Sequence, residues 1–440
     1  MRRWITRIVL GLLAVLLVAG VAGYWYLRPL LLTGTGYASH SACAMAEFAG
    51  AGPDLPSNPL VPYLRNDVNR DGASSTVLGV LAKQRSWYTP GYGCTLSSSR
   101  PDFGSFTAVS ANDLSKAPAP TASPEVEAAL AKAFGDDLLD AGQDTLGTRA
   151  VVVLKGGELV AERYAEGFDA TTPQLGWSMA KSVTSLLVGR LVEQGGVELD
   201  DTQLRPEWTD GRADISIDDL LRMTSGLSWD ETYDLGTPIT RMLYLESDMA
   251  GYVASLDLAH PVGEFQQYSS GSTTLLCSVL TERTRIGADL PRQKLFAPLG
   301  LSSAVWEPDA AGTPVCGSYL WASPRDWASI GQFALQDGVW NGKRLLPEGW
   351  MAETTTVKPV AATDEVGYAA GWRVNTSADG SLPEPVLPAD TYWAVGHDGQ
   401  RMYVVPSADL VVVRMGFSPD VASEDLRTEE LVADVIAALG

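Results

Sequence analysis

After residue 123, the segments with a strand pattern fall into two groups that lie far apart in the chain. Apolar runs at 150–154 and 159–161 flank a Lys-Gly-Gly-Glu turn, which is the pattern of a β-hairpin. The pattern returns only near the C-terminus, at 371–374, 391–395, 400–405 and 410–415. In between, apolar residues recur mainly with a helical period. A sheet that contains both groups must therefore carry a large helical insertion.

Helices are expected on both sides of these strands. Ser123 followed by Pro124 is a typical helix start, and one apolar face follows at Val126, Ala129, Leu130, Ala133 and Phe134. A last helix, capped by Ser423, has an apolar face at Leu431, Val432, Val435, Ile436 and Leu439. The sequence thus predicts an α+β fold, with an antiparallel sheet flanked by terminal helices and a helical subdomain inserted at about 176–310.

The first residues of the chain have the composition of a membrane-spanning helix. Three arginines precede an uncharged run of 20 residues at 8–27, which is long enough to cross a bilayer. Three aromatic residues at 24–26 lie where an interfacial belt would form. We therefore expect residues 1–36 to be a cytoplasmic start and transmembrane anchor, with the remainder on the extracytoplasmic side. Small residues at 21–23 leave a cleaved signal peptide and a secreted body as the alternative.

Charge and cysteine content constrain the partners and the compartment. The chain carries 53 acidic and 32 basic residues, a formal charge of −21 that would repel nucleic acids. Four cysteines in an exported chain suggest disulfides, with Cys43 and Cys94 as the tentative pair. Cys277 and Cys316 could pair too, or Cys277 could be a buried thiol in an apolar helix. Metal-ligand spacings of Cys and His do not occur, so neither a metal nor a cofactor is expected.

A lead segment and linker at 37–122 are expected before the main domain at 123–440. The polar stretch 67–72 matches the first half of a calcium loop, but the twelfth position is Leu78 instead of Glu. A polar turn leading into a strand at 76–81 is therefore the better interpretation. Residues 95–123 are rich in Ser, Pro and Ala, which is typical of a linker or a loosely packed segment.

Ser178 and Lys181 place a hydroxyl and an amine one turn apart at the start of an amphipathic helix. Residues three apart on a helix have Cβ atoms within ~5–6 Å, so the amine could take the proton of the hydroxyl. In the first turn, free backbone N–H groups also favour a developing negative charge. Ser178 is therefore either a nucleophile or only the N-cap of this helix.

Five motifs follow one another along the chain: Ser178-Met179-Ala180-Lys181, Leu220 to Leu227, Tyr268-Ser269-Ser270, Tyr368 to Trp372, and Gly396-His397-Asp398-Gly399-Gln400. Their order and rough spacing resemble those of the serine β-lactamase and penicillin-binding superfamily. Within it, residues 124–440 most resemble the class C-related serine hydrolases, the branch that includes esterases, D-amino-acid peptidases and 6-aminohexanoate-dimer hydrolase.

The resemblance implies a role for each matching residue. Ser178 would be the nucleophile, Lys181 would act as a base or a positive charge, and Tyr268 would exchange a proton with the nucleophile and the leaving group. The backbone N–H groups of Ser178 and Gln400 would form an oxyanion hole. The remaining residues expected at the substrate site are Ser270, His397, Asp398 and Gly399.

Two departures from the superfamily pattern bear on the substrate. Ser270 stands where penicillin-recognising enzymes usually have Asn, and His397 stands where they usually have Lys. A histidine is mostly neutral at pH 7, so a fixed charge for a β-lactam carboxylate is missing. The resemblance therefore implies hydrolysis of an ester or small amide through an acyl-enzyme, with a D-amino-acid peptidase or weak β-lactamase as the alternative.

Two further classes compete with this interpretation. Residues 176–180 approximate the nucleophile elbow of α/β-hydrolases, but that elbow needs an apolar strand before the serine, and 169–174 is polar. A catalytically inactive, membrane-anchored binding protein is the non-enzymatic alternative. It would be favoured by the loss of Ser178, Lys181 or Tyr268, and all three are present.

Overall fold

The structure is a computed structural model that describes residues 2–49 and 60–440. The helices are α1 (Arg2–Ala44), α2 (Asp113–Lys116), α3 (Pro124–Phe134), α4 (Asp136–Asp140), α5 (Met179–Glu193), α6 (Ile217–Arg222), α7 (Pro238–Tyr244), α8 (Met249–Ala254), α9 (Ser270–Thr284), α10 (Ala297–Leu299), α11 (Pro324–Leu335), α12 (Trp350–Thr354) and α13 (Thr428–Leu439). The strands are β1 (Leu64–Asn69), β2 (Gly72–Val77), β3 (Leu81–Thr89), β4 (Gly93–Leu96), β5 (Thr148–Lys155), β6 (Glu158–Tyr164), β7 (Gln174–Leu175), β8 (Phe265–Gln266), β9 (Val305–Trp306), β10 (Leu320–Ala322), β11 (Val339–Trp340), β12 (Lys343–Arg344), β13 (Ala362–Thr363), β14 (Arg373–Val374), β15 (Tyr392–Gly396), β16 (Gln400–Val405) and β17 (Leu410–Gly416).

The main sheet joins the two groups of strands that the sequence predicts. It has six strands in the order β14-β15-β16-β17-β5-β6, and each neighbouring pair is antiparallel. The groups meet where β17 pairs with β5, with Val412 opposite Val153. These central valines are buried, as expected for a sheet covered on both faces. The predicted α+β fold is confirmed.

The terminal helices α3 and α13 cover the outer face of this sheet, where their apolar residues pack with Val151, Val153 and Tyr403. Ser123 caps α3 as predicted, because its Oγ accepts a hydrogen bond from the N–H of Val126 at 3.3 Å. The cap predicted for the last helix is wrong. Ser423 begins a separate 3₁₀ turn, and α13 begins only at Thr428.

Helices α5 and α11 pack on the inner face, and most of the inserted helical region lies beyond them. Helix α9 joins this region to the loop before β10 through a disulfide between Cys277 and Cys316. Cys43 and Cys94 form a second disulfide, which joins α1 to β4. Both pairings considered from the sequence are thus present.

Helix α1 has two parts with different surroundings. Its side chains between Trp4 and Leu27 are mostly exposed, and by length and composition this helix could cross a membrane. Leu32, Ala38 and Ala42 are instead buried in the protein. The helix therefore continues past residue 36, where the anchor segment was expected to end.

Close packing explains this continuation. A Cβ atom on Gly36 would overlap the carbonyl oxygen of Tyr244, so the small residue lets α1 approach α7 directly. Thr35 also donates a hydrogen bond to the carbonyl oxygen of Ala82 in β3 at 2.6 Å. Tertiary contacts thus keep a glycine-containing segment helical against its weak propensity.

The lead segment forms a small antiparallel sheet, β1-β2-β3-β4, against the second part of α1. The strand predicted at 76–81 is wrong, because β2 ends at Val77 and β3 begins at Leu81. Leu78 and Gly79 have left-handed backbone conformations in the turn between them. The linker predicted at 95–123 is largely without regular structure but is held in place, since Asn112 donates to the carbonyl oxygen of Leu299 at 3.1 Å.

A buried carboxylate joins this lead segment to the main domain. Glu307 accepts hydrogen bonds from the backbone N–H of Cys94 at 2.7 Å and from the indole N–H of Trp321 at 3.0 Å. His40 of α1 donates to the same carboxylate at 3.0 Å, and its ring stacks on Tyr319 with centroids 4.1 Å apart. Glu307 is fully buried, so these three donors have its carboxylate and not solvent water as their hydrogen-bond acceptor.

Glu307→Ala should therefore destabilise the protein strongly, because it leaves three buried donors without their acceptor. We expect the free energy of unfolding to fall by about 3–5 kcal/mol. Urea unfolding in detergent, followed by circular dichroism, would measure this loss. Glu348→Ala on the exposed surface is the control, and an equal, small effect of both substitutions would contradict the proposed role of Glu307.

Candidate active site

Ser178 lies in the tight turn between β7 and α5. Trp177, directly before it, has a left-handed backbone with a φ of 47°, which is unusual for a bulky residue. The N–H of Met179 closes the turn on the carbonyl oxygen of Gly176 at 3.1 Å. Ser178 is the N-cap of α5, but its side chain makes no capping hydrogen bond within the described chain. The turn instead leaves Ser178 in the wall of a cleft.

The end of β15 packs directly against this turn. A Cβ atom on Gly396 would overlap the carbonyl oxygen of Gly176, so only glycine allows the backbones to come this close. Gln400, at the start of β16, pairs with Gly396 across the hairpin. This packing places the start of β16 beside the turn that carries Ser178.

Lys181 projects from the first turn of α5 and is almost completely buried. Its Nζ donates to Ser178 Oγ at 2.9 Å, to Ser270 Oγ at 2.8 Å and to the carbonyl oxygen of Gly317 at 2.8 Å. Three acceptors match the three N–H bonds of an ammonium group. The arrangement therefore suits a positively charged lysine in direct contact with the hydroxyl of Ser178.

Glu231 extends this network and is a residue that the sequence analysis missed. Its Oε1 accepts a hydrogen bond from Ser270 Oγ at 2.5 Å, and its Oε2 accepts from the backbone N–H of Ser270 at 2.9 Å. The indole N–H of Trp229 also donates to Oε2, at 2.5 Å. No periodic pattern singles out Glu231, because it lies in a loop. Its position shortly after the Leu220 to Leu227 motif was the only available signal.

Tyr268 precedes helix α9 and faces the same cleft. The Nζ of Lys181 lies 4.7 Å from the centroid of its ring. Tyr368 packs edge-on against the ring with centroids 5.5 Å apart, and the guanidinium of Arg373 lies 5.9 Å from its centroid. Two cationic side chains therefore lie close to this phenol.

The cleft is open and has a volume of about 440 Å³. His397 forms part of its wall, stacked on Tyr233 with centroids 5.0 Å apart and in edge contact with Trp177 at 5.8 Å. Burial, with a further contribution from Glu231, raises the pKa of Tyr233 well above its usual value. Tyr233 is thus a neutral phenol that holds the imidazole in place.

The last motif serves mainly to shape the backbone. Asp398 and Gly399 have left-handed conformations, and both line the cleft. A side chain on Gly399 would overlap the guanidinium of Arg414, which donates to the Gly399 carbonyl oxygen at 2.6 Å. The side-chain amide of Gln400 is buried and binds the backbone of Gly416. Only the backbone of Gln400 is therefore available for the predicted oxyanion hole.

Ser270 does not lie where the sequence analysis placed it. It was expected to contact the substrate, but it is fully buried and connects Lys181 to Glu231 beneath the cleft. Four of the other predicted residues, Ser178, Tyr268, His397 and Asp398, line the cleft. Lys181 is buried below it.

The model of the Beta-lactamase family matches residues 128–435, which is more than half of the chain. The chain belongs to the beta-lactamase family. Its membership confirms the superfamily resemblance drawn from the sequence and, with it, the enzyme class of serine hydrolase. The α/β-hydrolase alternative is therefore wrong. The strand before Ser178 differs as well, because β7 is only a short strand at the edge of a separate sheet.

Similar proteins include several members with different names. The 6-aminohexanoate-dimer hydrolase of Paenarthrobacter ureafaciens is 26% identical over 62% of this chain and 73% of its own length. A candidate 6-aminohexanoate-dimer hydrolase from Bacillus anthracis has a TM-score of 0.60 at 21% identity, over 76% of this chain and 91% of its own. A family VIII carboxylesterase has a TM-score of 0.53 at 15% identity, over 72% of this chain and 98% of its own.

In this beta-lactamase family chain, Ser270→Ala should lower turnover without altering substrate binding. The change removes one acceptor from Lys181 and one donor from Glu231, at a cost of ~1–3 kcal/mol. If that cost falls on the transition state, kcat drops about 10- to 100-fold while KM stays nearly constant. Steady-state hydrolysis of a p-nitrophenyl ester would measure both.

Ser278→Ala is the matched control, because Ser278 is a buried serine two turns further along the same helix. It should leave kcat almost unchanged. A rise in KM with constant kcat for Ser270→Ala would indicate a substrate contact and contradict the positioning role.

Proposed function

We propose that this chain hydrolyses an ester or a small amide through an acyl-enzyme on Ser178. The observation that carries the proposal is the 2.9 Å contact between Lys181 Nζ and Ser178 Oγ at the base of an open cleft. A serine that served only as a helix cap would not need a buried ammonium group beside its hydroxyl. The same contact speaks against the alternative of an inactive binding protein.

The first step in this proposal is the attack of Ser178 Oγ on the carbonyl carbon of the substrate. Tyr268 acts as a phenolate, stabilised by the nearby ammonium of Lys181, and becomes a neutral phenol when it accepts the proton of the hydroxyl. Lys181 is a poor candidate for the base itself, because its three N–H bonds already have three acceptors. Its role is then to lower the energy of the charged intermediates.

The negative charge that develops on the carbonyl oxygen requires donors. The backbone N–H groups of Ser178 and Gln400 are the candidates, since β15 and β16 pack against the serine turn. Each such donor typically contributes ~10²–10³ in turnover. When the tetrahedral intermediate breaks down, Tyr268 returns the proton to the departing alcohol or amine. Water then attacks the acyl-enzyme by the same route and releases the acid.

The contents of the cleft favour an ester or small amide over a β-lactam. His397 replaces the usual lysine, and its ring is held by aromatic contacts. Arg373 is already paired with Glu365 at 2.6 Å, so its charge is largely balanced. The relatives named as a carboxylesterase and as a 6-aminohexanoate-dimer hydrolase also support cleavage of simple esters and amides. A D-amino-acid peptidase or weak β-lactamase remains the second candidate.

We further propose that α1 anchors the enzyme, with its catalytic domain on the extracytoplasmic side. The exposed apolar part of α1 is long enough to span a bilayer, and the two disulfides suit an oxidising compartment. The buried second part of the helix would then join the membrane segment directly to the catalytic domain.

A fluorophosphonate probe should label the unchanged protein and fail to label Ser178→Ala, because only an activated serine reacts with it. In-gel fluorescence of the purified full chain would show the difference. The unchanged protein should also turn over a p-nitrophenyl ester faster than a chromogenic cephalosporin. Labelling that persists in the alanine variant would assign the nucleophile elsewhere and end the proposal.

Tyr268→Phe should lower kcat by about 10²–10⁴, the usual contribution of a general acid-base group. Tyr368→Phe is a matched control, because the hydroxyl of Tyr368 is buried without a hydrogen-bond partner in the described part of the chain. Removing that hydroxyl should change ester turnover little, since no hydrogen bond is lost. Equal rates for the two variants would remove Tyr268 from the mechanism.

A further inference from the structure

The turn between β2 and β3 presents an apolar surface that the proposed function does not explain. Leu78 and Val80 at its tip are 62% and 79% exposed. The N–H of Leu78 donates a hydrogen bond to the carbonyl oxygen of Tyr63 at 2.8 Å. This contact brings the exposed side chains of Val61 and Tyr63 close to the turn. We refer to the whole set as the collar, which consists of Val61, Tyr63, Leu78, Val80 and Leu81.

The backbone of the collar makes this exposure more unusual. Leu78 has a φ of 53°, a conformation that costs a residue with a side chain more than it costs glycine. An exposed leucine in that conformation has no benefit for a domain surrounded by water. Local strain of this kind clusters at functional sites.

The position of the collar relative to α1 indicates that the surface it contacts is the bilayer. The N–H of Ala82, next to Leu81, donates a hydrogen bond to the hydroxyl of Tyr24 in α1 at 3.3 Å. Tyr24 lies three residues before Leu27, where the uncharged run of α1 ends. At 1.5 Å per helical residue, Tyr24 lies ~4–5 Å before the outer end of the apolar segment, and Thr35, which binds the carbonyl oxygen of the same Ala82, lies ~12 Å beyond it. The collar therefore lies at the level where the helix would leave the bilayer.

The charge around the collar differs in sign from that of the whole chain. Residues 60–66 and 72–89 contain Arg65, Lys83 and Arg85 and no acidic residue, although the chain as a whole carries a charge of −21. Arg65 and Lys83 are exposed beside the apolar tip. Basic side chains that border apolar ones fit the anionic headgroups and outer hydrocarbon of a membrane.

We propose that the collar is a second membrane contact, which inserts into the outer interface of the bilayer next to α1. This inference rests on the proposed membrane anchor but not on the hydrolase mechanism. One helix alone leaves a domain free to rotate and tilt above the surface. A helix and a loop that are joined by the Tyr24 contact hold the catalytic domain in one orientation.

The test uses the full chain with a single added cysteine, which is possible because the four native cysteines are paired in the two disulfides. Val80→Cys carries the environment-sensitive fluorophore NBD, and the protein is placed in nanodiscs of phosphatidylcholine and phosphatidylglycerol. Val386→Cys is the matched control, because it is a valine of similar exposure, 60%, next to the outer layer formed by α3 and α13. The circular dichroism spectrum of each labelled protein, compared with that of the unchanged protein, confirms that it is folded.

In nanodiscs, NBD at Val80 should shift its emission to the blue and lose most of its fluorescence to doxyl-labelled lipids. NBD at Val386 should show neither effect. Leu78→Cys should behave like Val80→Cys and replaces it if that variant does not fold. The protein could instead float with vesicles and resist alkaline extraction while NBD is equally exposed to water at both positions. That result would overturn the proposed membrane contact of the collar but not the proposed anchor.

Two other outcomes would also overturn the proposal. A blue shift at Val80 without quenching by doxyl lipids would mean that the collar contacts protein, such as a second copy of the chain. Full-length protein that neither floats with vesicles nor resists alkaline extraction would remove the anchor as well as the collar. The labelling of Ser178 by a fluorophosphonate would be unaffected in either case, so the hydrolase proposal stands or falls separately.

Discussion

The three hydrogen bonds of Lys181 are the interaction on which the rest of the candidate active site depends. They join helix α5, helix α9 and the loop at Gly317, which are distant in sequence, around one buried cation. A buried ammonium is costly unless every N–H has a partner, so these three elements cannot shift independently. Ser178 is positioned by the same requirement, because its hydroxyl is one of the three acceptors.

A disulfide and two closely packed glycines also hold the elements around Lys181 in place. The disulfide between Cys277 and Cys316 joins α9 to the residue before Gly317 and so connects two of the elements that surround Lys181. Gly317 itself packs against Ser270 so closely that a Cβ atom would come within 2.8 Å of the Ser270 carbonyl oxygen. On the opposite side, Gly396 allows the main sheet to contact the serine turn. Covalent and steric constraints thus fix the geometry that the hydrogen bonds require.

The N-terminal helix is part of this support as well as a candidate membrane segment. His40 reaches from α1 to the buried carboxylate of Glu307, and its ring stacks on Tyr319. Tyr319 in turn lies 6.3 Å from Trp177, the residue before Ser178, measured between ring centroids. The helix that is proposed to enter the bilayer therefore also packs close to the turn that carries Ser178. A truncation within 31–44 would remove part of the packing that supports this turn.

The sequence by itself determined the class of fold and singled out the residues at the centre of the proposed site. The hairpin, the late strands and the helix start at Ser123 follow local rules of periodicity and capping, and Ser178, Lys181 and Tyr268 stand in ordered motifs. The tertiary structure decided what depends on contacts between distant residues: the role of Glu231, the buried position of Ser270, the turn at Leu78 and the continuation of α1 through Gly36. These features could not be read from local patterns, because a carboxylate in a loop or a glycine in a helix acquires its meaning only from the side chain or backbone packed against it.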